Sequence, residues 1–265
     1  MLTRREKLQK SVRSIRNRLA PAPHPAIPVF VLGEMRSGTN MLTEAFERTA
    51  GTEVFNENDE AAFEHFELRE LPAIEALVRG SRGSHVVFKS IADNARTSEL
   101  LETFQGARVV WIYRRWQDVV NSALRKWKDH REYLRVVLEE PERARWRARN
   151  LSDEQLALFR RFYSPALDDA SARALIWYVR NQNYFVQGLD RRDDVLLVNY
   201  EDLVADPLRE LRRAFDFIGL AVGANSFAHM NTESIGRDPE RAVQEPVREL
   251  CEMLLARLHA ARAAG

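Results

Sequence analysis

An α/β fold on a central parallel sheet is predicted by three features of this 265-residue chain. Several apolar runs are continuous rather than alternating, as strands covered on both faces require. Segments with helical spacing lie between them. The first run ends in a glycine-bounded loop that opens directly onto such a helix, the place where open parallel sheets hold ligands. With 45% apolar and 30% charged residues, the chain can fill a core and wet a surface.

Taken in order, residues 1–20 carry seven basic side chains against Glu6 alone, a local +6 in a chain of net charge +1. Leu8, Val12, Ile15 and Leu19 fall at helical spacing, so this segment reads as a basic amphipathic helix. Two readings stay open for it: packing on its own domain or on a second copy as a homodimer, or peripheral contact with an anionic membrane. Pro21, Pro23, Pro25 and Pro28 form a stiff connector. Residues 1–28 are thereby set apart from an α/β unit over 29–265.

Val29-Phe30-Val31-Leu32 is the first predicted strand, ended by Gly33, and Met41, Leu42, Ala45 and Phe46 stripe the helix after it. Val86-Val87-Phe88, Val109-Val110-Trp111-Ile112-Tyr113 and Val195-Leu196-Leu197-Val198 are the later strands. Between the last two lies a charged helical region interrupted by Pro141 and Pro165, which reads as a helical insert over about 125–188. Asp206-Pro207 opens a helix striped by Leu208, Leu211, Phe215 and Ile218 and stopped by Gly219. Val247, Leu250, Cys251, Leu254 and Leu258 stripe a last helix restarted by Pro246, which makes the lone Cys251 a buried core thiol.

Several classes are excluded at this level. No apolar run approaches the roughly 18 residues of a spanning helix, and no secretory signal is visible. One cysteine forms neither an internal disulfide nor a thiolate metal cluster. A net charge of +1 argues against a nucleic-acid binder. The expectation is a cytoplasmic, at most membrane-peripheral, globular chain.

The chemistry begins at Gly33-Glu34-Met35-Arg36-Ser37-Gly38-Thr39-Asn40, between the first strand and its helix. Gly33 and Gly38 have phosphate-loop spacing, and the helix would aim free N–H groups at an anion. Thr39 and Asn40 stand where a nucleotide kinase needs Lys and then Ser or Thr. Arg36 supplies a cation within the loop instead. A second cluster follows the third strand, where Arg114 leaves the strand end and Ser122 lies in the next helix. Both can converge on one phosphate through charge-assisted and neutral hydrogen bonds. The alternative pairs Arg114 with Asp118 and leaves Ser122 bonded to its own helix.

These two blocks resemble the sulfotransferase family that uses 3′-phosphoadenosine 5′-phosphosulfate (PAPS). Its loop reads Pro-Arg/Lys-Ser-Gly-Thr-Thr/Asn, with Met35 here in place of the proline. The resemblance implies a P-loop-NTPase-like fold, Arg36, Ser37, Gly38, Thr39 and Asn40 on the 5′-phosphosulfate, and Arg114 and Ser122 on the 3′-phosphate. Arg115-Trp116 departs from the family's Asn-Pro. Tyr200-Glu201-Asp202-Leu203 is similar to the family segment whose tyrosine lies near adenine, though Tyr200 also reads as a core residue. The stretch from Asn231 to Arg237 loosely resembles the nucleotide-closing segment, and Arg237 is either a third 3′-phosphate contact or a solvated loop arginine.

The implied activity is transfer of a sulfuryl group from PAPS to a hydroxyl or amine, leaving 3′-phosphoadenosine 5′-phosphate (PAP), without a metal. Lys89, at the end of the second strand, matches the family lysine that holds leaving-group charge and otherwise reads as a solubilising strand-end residue. The family's cytosolic histidine position is Ile91 here. Glu57, 21 residues past Arg36, matches the base of other branches, with Asp59, Glu60 and His65 as competitors on what reads as a solvated acidic helix face. His85 and His130 show no metal-ligand pattern. The insert is dense in basic and tryptophan residues (Arg125, Lys126, Trp127, Lys128, Arg143, Arg145, Trp146, Arg147), which suits a lid over an anionic acceptor or a solvated helix hairpin. A carbohydrate, a lipid headgroup or a small metabolite fits as acceptor. Other functions open to the same residues are an ATP/Mg-dependent phosphotransferase and a non-catalytic nucleotide-binding protein.

Overall fold

The computed structural model describes residues 25–222, 226, 230, 236 and 239–265. The basic segment 1–20 and Arg237 lie outside the described residues.

Strand β1 (Ile27–Gly33) leads through the phosphate-type loop to α1 (Thr39–Glu47) and β2 (Thr52–Phe55). A small hairpin, β3 (Phe63–Glu64) and β4 (Glu67–Leu68), precedes α2 (Leu71–Gly80) and β5 (His85–Lys89). A 3-10 turn (Ile91–Arg96), α3 (Thr97–Thr103) and β6 (Arg108–Tyr113) follow. The helical stretch then comprises α4 (Trp116–Lys126), α5 (His130–Glu139), α6 (Pro141–Ala144), α7 (Asp153–Phe162) and α8 (Asp169–Val186). Strand β7 (Val195–Asn199), α9 (Tyr200–Ala205), α10 (Pro207–Ile218) and α11 (Glu245–Ala264) complete the order.

The central sheet runs β2-β5-β1-β6-β7 and every pairing in it is parallel. Each strand is apolar on both faces because each face has its own core. Phe30, Leu32, Phe88, Trp111 and Tyr113 point into one core, packed against α2, α4, α5, α8 and α11. Val29, Val31, Val87, Val110 and Ile112 point into the other, against α1, α9 and α10. The two-residue period of the strand and continuous apolarity are therefore compatible. The four predicted strands are present, and β2, only four residues long, completes the sheet at its edge. No helix among the described residues is long and apolar enough to cross a membrane.

One local expectation holds and one is corrected. The helical region is interrupted at Pro141 as expected: α5 ends at Glu139, and Pro141 starts α6 at its first turn, where its missing N–H costs nothing. His65 does not lie on an acidic helix face. It sits in the β3–β4 turn, where His65 and Phe66 both have positive φ without a glycine to signal it. The hairpin is tethered at its second strand, where the Leu68 N–H donates to Asp93 Oδ2 at 3.0 Å. Cys251 is fully buried and its thiol donates to the Ala174 carbonyl at 3.3 Å.

Burial pushes the Asp93 carboxyl up to about 6, against the bond from Leu68 and the charge of Arg96. A carboxyl raised in the folded state binds more protons there than in the unfolded chain, so stability falls as pH rises between the unfolded value near 4 and about 6. Asp93→Asn keeps an acceptor for Leu68 and does not titrate. Its stability relative to wild type should rise by up to about 3 kcal/mol between roughly pH 4 and pH 7, measured by urea unfolding. A pH-independent difference would refute this account.

Candidate active site

The order of the sheet creates the crevice. From β1 the chain leaves toward β2 on one side, and from β6 it leaves toward β7 on the other, so the loops after these adjacent strands diverge. The loop after β1 is shaped by backbone that L-residues seldom adopt. Gly33 has φ 138°, and a Cβ on it would lie 2.1 Å from the Ile112 carbonyl oxygen of β6. Gly38 has φ 97°, and a Cβ there would lie 2.3 Å from the Tyr200 ring. Between them Arg36 itself has φ 72°, a strained conformation for a non-glycine residue. Ser37 N–H closes the turn on Glu34 O at 3.2 Å. Helix α1 then starts from Gly38 with no side chain capping its first turn. Ser37 Oγ is buried and has no hydrogen-bond partner among the described residues.

The loop arginine and the residues after β6 meet. Arg36 Nε donates to Ser122 Oγ at 2.9 Å, and Arg114 Nη1 donates to the Arg36 carbonyl at 3.3 Å. Ser122 is therefore joined to the loop across 86 residues of sequence. Arg114 also has Asp118 at 3.9 Å and Glu201 at 4.0 Å, so the pairing with Asp118 exists together with the convergence on the loop. Its guanidinium lies 4.3 Å from the centre of the Tyr200 ring, which is buried between Arg114 and Gly38. The departure at Arg115-Trp116 leaves the helix start intact: α4 begins at Trp116, whose indole N–H donates to Glu252 at 3.0 Å. Gly236 N–H donates to Asp118 Oδ1 at 3.2 Å, bringing Gly236 beside α4.

Burial, reinforced by the charges of Arg114, Arg125 and Arg173, pulls the Arg36 guanidinium below its ordinary value. Burial also raises the Glu201 carboxyl, opposed by the Arg115 N–H bond and by Arg114. The site is thus a concentrated positive field partly balanced by two carboxylates.

On the far side of β1, Lys89 ends β5 and is buried, its side chain only 4% exposed. Its Nζ lies 2.5 Å from both carboxylate oxygens of Glu57, which follows β2. Burial lowers the Lys89 ammonium below its ordinary value; Glu57 opposes this, and Lys126 and Arg36 add to it. Trp127 lies under both Arg36, at 5.9 Å, and Lys126, at 5.0 Å. His85 is held by Ser84 and the Ile218 carbonyl, away from this chemistry. Among the described residues no group of three or more His, Cys, Asp or Glu side chains is placed to hold a metal ion.

Sequence reasoning did not single out the residues that hold the loop. Glu34 is fully buried and paired with Arg173 at 2.6 Å and Arg180 at 3.3 Å, both from α8. Arg173 also donates to the Met35 carbonyl at 3.3 Å, and Arg180 donates to the Ile91 carbonyl. Trp177, between them on the same helix, donates to the Arg114 carbonyl at 3.1 Å. Asn183 and Gln187 continue the stripe and bond Asn94. Arg173, Trp177, Arg180, Asn183 and Gln187 recur every three or four residues, so one face of α8 is polar-tipped although buried. That periodicity was the available signal.

The Sulfotransferase domain family model matches residues 27–240. No curated protein sequence matches the chain. Among solved structures, the sulfotransferase domain from the curacin biosynthetic pathway aligns at 13% identity and a TM-score of 0.51, over 89% of this chain and 98% of its own, and shares the fold. A sulfotransferase from Alicyclobacillus acidocaldarius aligns at 17% identity and a TM-score of 0.48, over 92% and 95% of the two chains. A mouse sulfotransferase complexed with PAP aligns at 17% identity and a TM-score of 0.44, over 86% and 71%.

Glu34→Gln leaves two buried guanidiniums without their counter-charge and should cost about 3–5 kcal/mol in urea unfolding. Glu44→Gln, which removes a half-exposed pair with Arg48 within one helix, should cost about 0.5 kcal/mol or less. Equal losses would show that burial of the Glu34 pair does not hold the loop.

Proposed function

This chain belongs to the sulfotransferase domain family, whose model spans most of its length, and from that premise we propose that PAPS is its donor and a hydroxyl its acceptor. The sulfotransferase activity follows from the family; the donor is read from the crevice. The observation that carries it is the meeting of Arg36, Ser122 and Arg114 at the switch point, two cation-bearing segments joined by hydrogen bonds 2.9 and 3.3 Å long. A nucleotide with phosphate groups at both ends of its ribose suits such an arrangement better than one with a single phosphate chain. The fit is supported by the buried, unpartnered Ser37 hydroxyl and by the uncapped start of α1.

In this reading Arg36, Ser37, Gly38, Thr39 and Asn40 hold the 5′-phosphosulfate, and Arg114 and Ser122 hold the 3′-phosphate. Tyr200 neighbours the purine while its ring braces Arg114. Arg237 is the third 3′-phosphate contact, a role favoured by the bond of its neighbour Gly236 to Asp118. The donor supplies a sulfur electrophile and a phosphate leaving group. Glu57 takes the proton of the attacking hydroxyl, and Lys89 and Arg36 hold the charge that builds on the leaving oxygen. The contact of Glu57 with Lys89 supports assigning these two roles to one side of the crevice.

PAP should raise the melting temperature without magnesium, and AMP much less. Arg114→Ala should abolish that difference; if selectivity survives, the 3′-phosphate assignment falls. Stabilisation by ATP only with magnesium would favour the phosphotransferase instead. Glu57→Gln should lower sulfate transfer from labelled PAPS by about 10²–10⁴-fold while PAP still stabilises the protein. Unchanged turnover would remove Glu57 as the base.

A further inference from the structure

The Arg36 side chain is held without a counter-charge. Asp118 and Glu201 lie against Arg114 and Arg115, and no carboxylate of a described residue pairs with Arg36. The charges it feels are those of Arg114, Arg125 and Arg173, all of its own sign. Nε is the only nitrogen of its side chain bonded to a described residue, through Ser122 Oγ at 2.9 Å. What faces the guanidinium is an aromatic ring, Trp127, with its centre 5.9 Å away.

Ser122 and Trp127 reach Arg36 together because α4 stops between them. On a continued helix Trp127 would lie about 140° around the axis from Ser122. Instead α4 ends at Lys126, and Trp127 has extended backbone, φ −131° and ψ 151°, with its N–H bonded to the Ala123 carbonyl at 2.8 Å. Asp129, at φ 64°, then turns the chain into α5. The buried His130 that follows lies against the Ala123 and Trp127 carbonyls. The half-buried Trp127 is therefore carried by a helix end secured from two sides, by Ala123 and by His130.

Resting on the donor reading above, we propose that Trp127 is a positioning residue for Arg36: its aromatic face holds the guanidinium at the 5′-phosphosulfate position and leaves the charge unneutralised. A carboxylate in its place would also orient the arginine. It would occupy the N–H donors that the anion needs and cancel the charge that attracts it. The quadrupole of an aromatic ring attracts the cation without accepting those hydrogen bonds. The donors of a guanidinium lie in its plane, so a ring on its face leaves them available. Repulsion from Arg114, Arg125 and Arg173 works against any single placement of Arg36, and the ring supplies an attraction that opposes it.

The test is calorimetry on the full chain with PAP and with adenosine 3′-phosphate, which lacks the 5′ group. Trp127→Leu keeps apolar bulk but no aromatic face, and should weaken PAP binding about 3- to 30-fold. Adenosine 3′-phosphate affinity should change less than about twofold in the same variant, a split that general loss of structure would not produce. Trp127→Phe should restore most of the PAP affinity, and Trp127→Glu should lose more than Trp127→Leu. In an Arg36→Ala background, Trp127→Leu should cause no further loss, since the contact acts through Arg36. Equal losses for both nucleotides, an undiminished loss in the Arg36→Ala background, or Phe no better than Leu would overturn the proposal. Inorganic pyrophosphate is the arm independent of the donor. Pyrophosphate binding weakened by Trp127→Leu only when Arg36 is present, in a chain that does not bind PAP, would count against the donor reading and support the positioning of Arg36. In such a chain, pyrophosphate binding that Trp127→Leu leaves unchanged would overturn both.

Discussion

Glu34 is buried between Arg173 and Arg180, and the position of the loop after β1 depends on that arrangement. A carboxylate inside an anion-binding loop is at first sight misplaced, since its charge opposes the ligand. Turned inward and shared by two guanidiniums, it instead anchors the loop and leaves a net positive charge behind it. Arg173 is close enough to depress Arg36, so the excess charge is felt where an anion would sit. Such a buried group adds little net stability compared with an apolar one, because three charges must leave water. What it supplies is a tie between the loop and α8, since one carboxylate engages two guanidiniums of that helix.

One helix then sets the relative positions of three segments. From α8, Arg173 and Arg180 reach the loop, Trp177 reaches the end of β6, and Asn183 and Gln187 reach the turn after β5. These are the three strand ends that carry Arg36, Arg114 and Lys89. The loop also packs with no clearance on β6 and on the start of α9, since Gly33 meets Ile112 and Gly38 meets Tyr200. Arg36 and Arg114 are consequently held at contact despite like charge, a repulsion balanced by Asp118, Glu201 and the buried fixtures of α8. The long sequence between β6 and β7 is therefore a brace for the site as well as a helical layer.

Those features that depend on local rules were legible in the sequence. Strand ends are marked by apolar runs stopping at Gly33, Lys89 and Arg114, and a parallel sheet puts such ends on one edge. Glu57 could be placed near that edge for the same reason. The brace was not legible, because Arg173 and Arg180 lie 139 and 146 residues from Glu34 and only tertiary packing joins them. The β3–β4 hairpin was missed because its turn puts His65 and Phe66 at positive φ, where a glycine or asparagine would have been the signal.

The contact between Glu57 and Lys89 adds a final physical consequence within the proposed mechanism. An ammonium has three donors, and Lys89 donates to Glu57 Oε1 at 2.5 Å, with Oε2 equally near, while burial works against its charge. Held this way, Glu57 is fixed in place by the residue of opposite charge. A phosphate oxygen approaching Lys89 competes for the same donors and attracts the ammonium more strongly than one carboxylate does. Turning of Lys89 toward that oxygen would release Glu57 from the ion pair. Within the proposed mechanism, the ion pair would therefore occupy Glu57 in an empty site and free it when the leaving-group position is filled.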